Sequence, residues 1–416
     1  MKRKLSVLAA ALLALGLAAL FLLSWPETDR QASPEEAVSA GAEAPPTPAP
    51  EPTAEELAQE ILAGMTLEEK VWQMMYVFPQ DVTGSYTCTD LEQWADALAL
   101  RGAGGFVIST ENMESAETLK AMLACLPHAA DITPFIGVDE EGGKVERLAY
   151  TLGATTSLKP MYTYKDEGAG TAYANAKTLA GDIAAFGFNQ DFAPVADVWT
   201  NEENTVIGQR AYSDDPEQAA ELVAAAVRGF TDGGVIATLK HFPGHGDTAE
   251  DSHYGSAVSQ KALEELRTCE FLPFLSGIEA GAGMVMVGHI SLPQVDGDTP
   301  ATLSKVLVTD VLRGELGFEG VVISDSFTMA AISGRYSQRE AAVLAIQAGC
   351  DMILGSDDPD GVVQAIMEEI PEQRIDESVF RILLLKLESG ILGQDAPAPE
   401  SGTAPENSTA QEEGSP

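Results

Sequence analysis

The sequence predicts an α/β fold, a single (β/α)8 TIM-type barrel. Eight short apolar runs alternate with longer amphipathic segments. Most runs are rich in β-branched residues and apolar on both sides, as strands buried in a parallel sheet are. Several end in a polar side chain, at the strand end where such barrels carry their active sites. The same alternation admits a doubly wound open sheet as the alternative.

The chain of 416 residues opens with Lys2, Arg3 and Lys4 ahead of an unbroken apolar run, Leu5 to Leu23. That pattern reads as an export signal with its basic side held in the cytoplasm. The run exceeds the usual cleaved core of about 7–15 residues, so residues 1–26 are a signal peptide or, on length, an uncleaved membrane anchor. The expected product is exported, tethered facing outside or secreted. Residues 27–53 are Pro-, Ala- and Glu-rich with almost no bulky apolar side chain. Such a segment cannot bury enough surface to fold, and it reads as a disordered stalk. The tail, 394–416, has the same character, which leaves 54–393 as one barrel domain without an internal linker.

Within it the expected strands are 71–78, 104–109, 134–139, 188–198, 235–242, 284–290, 320–325 and 350–355, and helical spacing marks 114–126, 168–186, 216–232 and 259–280. Asp139, His241, His289 and Asp325 fall at or just beyond strand ends and so are expected around one pocket. A carboxylate such as Asp325, costly to bury ionised, reads as a nucleophile or electrostatic stabiliser. Its alternative is the N-cap of a helix starting near Phe327.

Composition narrows the partners. With 64 acidic residues against 24 basic, the net charge is −40. So negative a surface repels nucleic acid and anionic headgroups, leaving membrane contact to the N-terminal segment alone. The four cysteines match no metal spacing. Cys88 and Cys125 are the candidate disulfide pair, while Cys269 and Cys350 read as buried thiols.

"KHFPGHGDTAEDSHYG" (240–255) holds three of the five histidines. Zinc is one reading, but Pro243, Gly244 and Gly246 forbid the rigid helical spacing that catalytic zinc sites favour. A second reading is a dyad in which Asp251 orients His253 for proton transfer, and the third is a solvated acidic loop. His245 reads as a brace for the loop, His289 as facing the pocket, and His128 as surface.

This segment resembles the signature of the β-N-acetylglucosaminidase branch of glycoside hydrolase family 3. Further blocks of that family follow in order over about residues 55–393: "GVDEEGGKVERL" (137–148), "FNQDFAPVADVWTNEENTVIGQRAYSDDP" (188–216), "PATLSKVLVTDVLRGELGFEGVVISDSFTMAAI" (300–332) and "AGCDMILGS" (348–356). The resemblance implies an exo-acting retaining glycosidase of the β-N-acetylhexosaminidase type, working through a covalent glycosyl-enzyme. Asp325 would be the nucleophile and His253 the acid/base, assisted by Asp251. Asp139, Arg147, Arg210, Lys240 and His241 would hold the sugar hydroxyls. The implied partner is a glycan ending in N-acetylglucosamine, from cell walls or related material, and no metal or organic cofactor is implied. A phosphorylase or β-glucosidase of the same family and an inactive glycan-binding module are the alternatives. Lys144 stands where arginine is common, Ser326 where a second aspartate is frequent, and "RAYSDDP" replaces the usual run after the arginine; all three bear on sugar and aglycone preference.

Overall fold

The computed structural model describes residues 52–87, 94, 96, 97, 101–128, 131–248 and 257–393, with His128 as backbone alone. The export segment, stalk residues 27–51, the tail, Cys88, Asp251, His253 and the side chain of His128 lie outside the described residues.

Eight strands form one sheet: β1 (Met75–Val77), β2 (Gly105–Val107), β3 (Phe135–Val138), β4 (Gln190–Asp191), β5 (Ile236–Phe242), β6 (Met284–Val287), β7 (Val321–Ser324) and β8 (Ile353–Leu354). Each pairs in parallel with its sequence neighbour, β8 pairs with β1, and the Ile323–Met352 bridge joins β7 to the approach of β8. The sheet thus closes on itself in sequence order. A doubly wound sheet would reverse its order at a switch point and stay open, so that alternative is set aside.

The strands are shorter than their apolar runs. Residues 71–73, expected in the first strand, finish the helix Leu67–Gln73, whose N-cap Thr66 and Glu69 form a reciprocal capping box. Of 188–198 only Gln190–Asp191 is strand; after the cis Ala193–Pro194 bond a single bridge, Val195 to Lys240, keeps the segment on the barrel wall. The last part of 284–290 leaves the barrel, because Ile290–Ser291 pairs instead with Ala257–Val258. The helices Ala116–Cys125, Ala169–Ala184 and Pro216–Asp232 fall where expected, whereas 259–280 breaks into Leu263–Arg267 and Phe271–Glu279. Among the described residues no helix is long and apolar enough to cross a membrane.

The barrel interior is packed around a polar thread. The Tyr76 hydroxyl donates to Gln190 Oε1 at 2.8 Å, and Gln190 in turn reaches Thr238. This crossing depends on bare backbone: a Cβ at Gly105 would lie 2.5 Å from the Tyr76 ring, and one at Gly137 would lie 2.2 Å from its hydroxyl. On the outer side Phe242 at the end of β5 packs on Phe271 and Phe274, with ring centroids 5.7 and 5.3 Å away.

Two expectations for the cysteines change. Cys125 is a half-buried free thiol, and Cys269 is half-buried rather than buried. Burial pushes the Cys269 thiol up to about 11 and that of Cys350, which is fully buried, up to about 12.

Candidate active site

The carboxyl ends of the strands converge on a pocket of about 280 Å³, and Asp139, Arg147, Arg210, Lys240, His241 and Asp325 all line it. Asp139 and Asp325 each sit one residue beyond their strands, β3 and β7, and Lys240 and His241 close β5.

Arg147 arrives by a tight reversal. Behind Asp139, Glu140–Gly142 pairs with Val145–Glu146, and the turn between them uses Gly142 and Gly143 at φ of +92° and +65°. Glu140 is fully buried and accepts from Leu148 N, Ala149 N and the Thr155 hydroxyl. It thereby ties down the first turn of the helix Arg147–Leu152, which Arg147 opens.

Arg210 ends the 3-10 turn Gly208–Arg210 in the long connection after β4, and it meets Glu141 through two hydrogen bonds of 2.8 and 2.7 Å. Lys240 Nζ lies 2.6 Å from both Asp139 and Glu141. Two cations and two carboxylates thus alternate along one wall. Burial opposes the charges of Glu141, Arg210 and Lys240, but the partners outweigh it. Arg210 and Lys240 hold the Glu141 carboxyl well below the usual range, and Asp139 and Glu141 hold the Lys240 ammonium above its own. The structural ion pair and the pocket-lining role of Arg210 are therefore one arrangement.

His241 is oriented by Asp197. Asp197 Oδ1 accepts the backbone N–H groups of His241 and His245 at 3.1 and 2.7 Å, and Oδ2 lies 2.8 Å from His241 Nδ1. Because an ionised carboxylate only accepts, Nδ1 carries the proton and Nε2 is the ring atom left for a ligand. Burial works to raise the Asp197 pKa, yet His241 and then His245 prevail and lower it.

His245 braces the loop as expected, its Nδ1 2.7 Å from Thr248 Oγ1, but it also lines the pocket, edge-on to His241 at 5.8 Å. Burial first, and the neighbouring His241 second, lower its pKa, so the ring is neutral at physiological pH.

Asp325 is half-buried, its backbone amide bound to Val287 O at 2.9 Å, while Ser326 N donates to its Oδ1 at 2.8 Å. It caps no helix: the next one, Ala330–Ser333, has Met329 at its N-cap. Asp325 lines the pocket. His289, expected to face the same space, is buried beside it instead. Its Nδ1 lies 2.8 Å from Thr302 Oγ1 and its Nε2 3.0 Å from Ser326 O, outside the pocket lining. Among the described residues no three His, Cys, Asp or Glu side chains group as a metal site.

Glu141, Asp197 and the pocket role of His245 were missed in the sequence. Asp197 carried the same signal as Asp139, an acidic residue at the end of a strand-like run. Glu141 was hidden by its acidic neighbours, although three consecutive acids inside a buried run call for cationic partners.

The sequence matches the "Glycosyl hydrolase family 3 N terminal domain" over residues 66–385. The chain belongs to glycosyl hydrolase family 3. It is a glycoside hydrolase, and the matched N-terminal domain takes in the whole closed barrel. It is 38% identical over 266 residues to a β-hexosaminidase of Stenotrophomonas maltophilia, covering 63% of this chain and 78% of that protein. A β-hexosaminidase of Xanthomonas oryzae pv. oryzae is 38% identical over 268 residues, covering 63% and 79%. Among solved structures, a family 3 β-N-acetylglucosaminidase from Paenibacillus sp. superposes with a TM-score of 0.73 at 36% identity, covering 79% of this chain; the chain spans 63% of that enzyme's length.

Proposed function

We propose that this family 3 hydrolase is an exo-acting retaining β-N-acetylglucosaminidase that removes terminal β-linked N-acetylglucosamine from cell-wall-derived or related glycans. The observation that carries the reading is the placement of Asp325 in one pocket with Asp139, Arg147, Arg210, Lys240 and His241. Its volume, about 280 Å³, falls at the small end of ligand sites, about 300 Å³, which suits one terminal sugar and exo action.

In this reading Asp325 Oδ attacks the anomeric carbon while the aglycone oxygen leaves with a proton, and water then cleaves the ester with retention. Lys240, Arg210 and His241 Nε2 supply donors and acceptors to the sugar hydroxyls, and Asp139 accepts from them. Glu141 and Asp197 hold those groups in place before substrate arrives. His253 and Asp251, outside the described residues, are proposed as acid/base and its helper on the resemblance of their segment. A glycan outside the cell is the substrate that suits the export segment proposed for residues 1–26.

The test compares 4-nitrophenyl β-N-acetylglucosaminide with the β-glucoside, with and without phosphate. Phosphate-independent release from the N-acetyl substrate is expected, with Asp325→Asn slower by at least about a thousandfold. Quenched enzyme should carry one N-acetylglucosaminyl group on the peptide holding Asp325. Sugar 1-phosphate as main product, or preference for the glucoside, would replace this reading with a phosphorylase or a glucosidase.

A further inference from the structure

His289 follows the end of β6 by two residues and is 1% exposed, with its ring 5.9 Å from that of Phe327. It does not line the pocket, and the chemistry above gives it no part. An apolar side chain would fill the same space, and a polar ring is costly to bury unless it is hydrogen-bonded. What its hydrogen bonds hold is the stretch that carries Asp325.

Ser326 O is a carbonyl oxygen and only accepts. His289 Nε2, 3.0 Å away, therefore carries the proton and donates it there. In the neutral ring Nδ1 is then an acceptor, and the Thr302 hydroxyl lies 2.8 Å from it. Thr302 is itself fixed, fully buried in the turn Ala301–Leu303. Its hydroxyl is 3.1 and 3.0 Å from the carbonyls of Val287 and Gly288, and its own carbonyl takes the Cys350 thiol at 3.6 Å. The tautomer and orientation of the ring are thus set by that turn.

At the other end of this series of contacts stands the nucleophile. Ser326 donates its backbone amide to Asp325 Oδ1 at 2.8 Å, and its carbonyl is the group that His289 holds. The flanking amides are tied as well, Asp325 N to Val287 O on β6 at 2.9 Å and Phe327 N to Leu354 O on β8 at 3.0 Å. Space is tight around the Ser326 side chain, since a Cβ on Gly355 would lie 2.7 Å from its Oγ. Of these backbone ties, the one to the Ser326 carbonyl is made by a side chain. A substitution can therefore remove it without touching the strands.

From this geometry we propose that His289 is the positioning residue of the nucleophile: acting through Ser326, it holds the Asp325 carboxylate in line with the anomeric carbon of the sugar. The proposal rests on the retaining reading above, in which Asp325 attacks. A reacting group misplaced by about 1 Å can cost a hundredfold in rate, so one N–H acting at a remove is enough to govern the reaction.

The test uses His289→Leu, which fills the space and donates nothing, beside His289→Gln, whose amide N–H reaches nearly as far as Nε2. Both are measured on 4-nitrophenyl and 2,4-dinitrophenyl β-N-acetylglucosaminide. His289→Leu should lower kcat/KM on the two glycosides alike, by about ten- to a hundredfold, because a misaimed nucleophile slows attack whatever the leaving group. Inhibition by free N-acetylglucosamine should change less than about twofold, since the residues that line the pocket keep their own partners. His289→Gln should recover most of the rate. Thr302→Val removes only the hydroxyl that orients the ring; it should lose about fivefold in the same pattern and carries the test where His289→Leu does not fold. Unchanged rates, a loss confined to the 4-nitrophenyl substrate, or inhibition weakened as much as the rate would each overturn the proposal. Wild type that turns over neither glycoside, or Asp325→Asn that keeps the wild-type rate, would instead overturn the reading on which it rests, so the two failures are distinguishable.

Discussion

Glu141 grips Arg210 through two parallel hydrogen bonds, 2.7 and 2.8 Å, at a point where the carboxylate side chain is 1% exposed. The same carboxylate takes Lys240 at 2.6 Å, so one buried anion sets the position of two of the cations that line the pocket. Bidentate guanidinium–carboxylate pairs are among the strongest and most directional hydrogen-bonded contacts. This wall of the pocket is therefore held in place by the chain's own ion pairs.

Glu141→Gln tests this directly. A neutral amide cannot accept both guanidinium protons, and breaking one side of a buried ion pair costs about 3–5 kcal/mol. The expected outcome is a clear drop in the unfolding midpoint together with a KM for the terminal sugar raised about tenfold or more. Retained stability with unaltered KM would mean that Arg210 and Lys240 hold their places unaided.

The Asp197–His241 pair predicts a pH signature as well as a rate. Asp197→Asn turns one accepting oxygen into a donor opposite His241 Nδ1, so the proton moves to Nε2 and the ring meets the sugar with the wrong tautomer. Loss of such a charge-assisted bond lowers kcat/KM by about ten- to a hundredfold. The folded carboxyl pKa is depressed. Asp197 therefore contributes stability above its unfolded pKa, about 4, and that contribution is lost as the pH falls through the lower folded value. Denaturant midpoints at pH 6 and pH 3 should converge between wild type and Asp197→Asn, and a constant gap would sink the argument.

The fold was legible because parallel barrel strands are buried on both faces, so each run such as "GVVISD" stands out as a block, and the acid at its end marks the pocket. Strand limits were less so. Hydrophobicity reports burial, and residues 71–73 and 192–198 are buried without pairing as strands. The residues that line the pocket, Asp139, Lys240 and His241, lie inside distinctive motifs. Those that support them, Glu141 and Asp197, are recognisable only once their partners are adjacent, 69 and 44 residues away along the chain. The break in 259–280 had a local sign that was passed over, Pro273 in the first turn of its second helix, where proline is well tolerated.

Gly137 sits in β3 where a side chain has no room. A Cβ there would meet the Gln190 side-chain oxygen at 1.9 Å and the Tyr76 hydroxyl at 2.2 Å. Gly137→Ala must displace the polar thread of the barrel, and overpacking of this kind costs about 1–3 kcal/mol. The double variant Gly137→Ala with Tyr76→Phe removes the hydroxyl in the way, so it should recover part of the lost melting temperature. Additive losses would show that Tyr76 is not the clash.

Lys386 supplies a prediction remote from the pocket. It is fully buried in the C-terminal helix Glu372–Glu388, its ammonium 2.7 Å from the neutral Gln73 Oε1 and 4.9 Å above the Phe135 ring. Burial pushes its pKa down to about 7, whereas an unfolded lysine titrates near 10.4. Between those values the unfolded chain holds a proton that the folded chain does not, so this group makes stability rise with pH, up to the unfolded pKa. As the pH falls toward 7 the benefit is lost, and below it the group's contribution is flat. At about 1.4 kcal/mol per pH unit, the window is worth a few kcal/mol. Lys386→Met keeps the stem and removes the titration. Unfolding free energies of both proteins at pH 7, 8 and 9 should show wild type gaining on the variant at each step, and a pH-independent difference would mean that the lysine stays charged in its site.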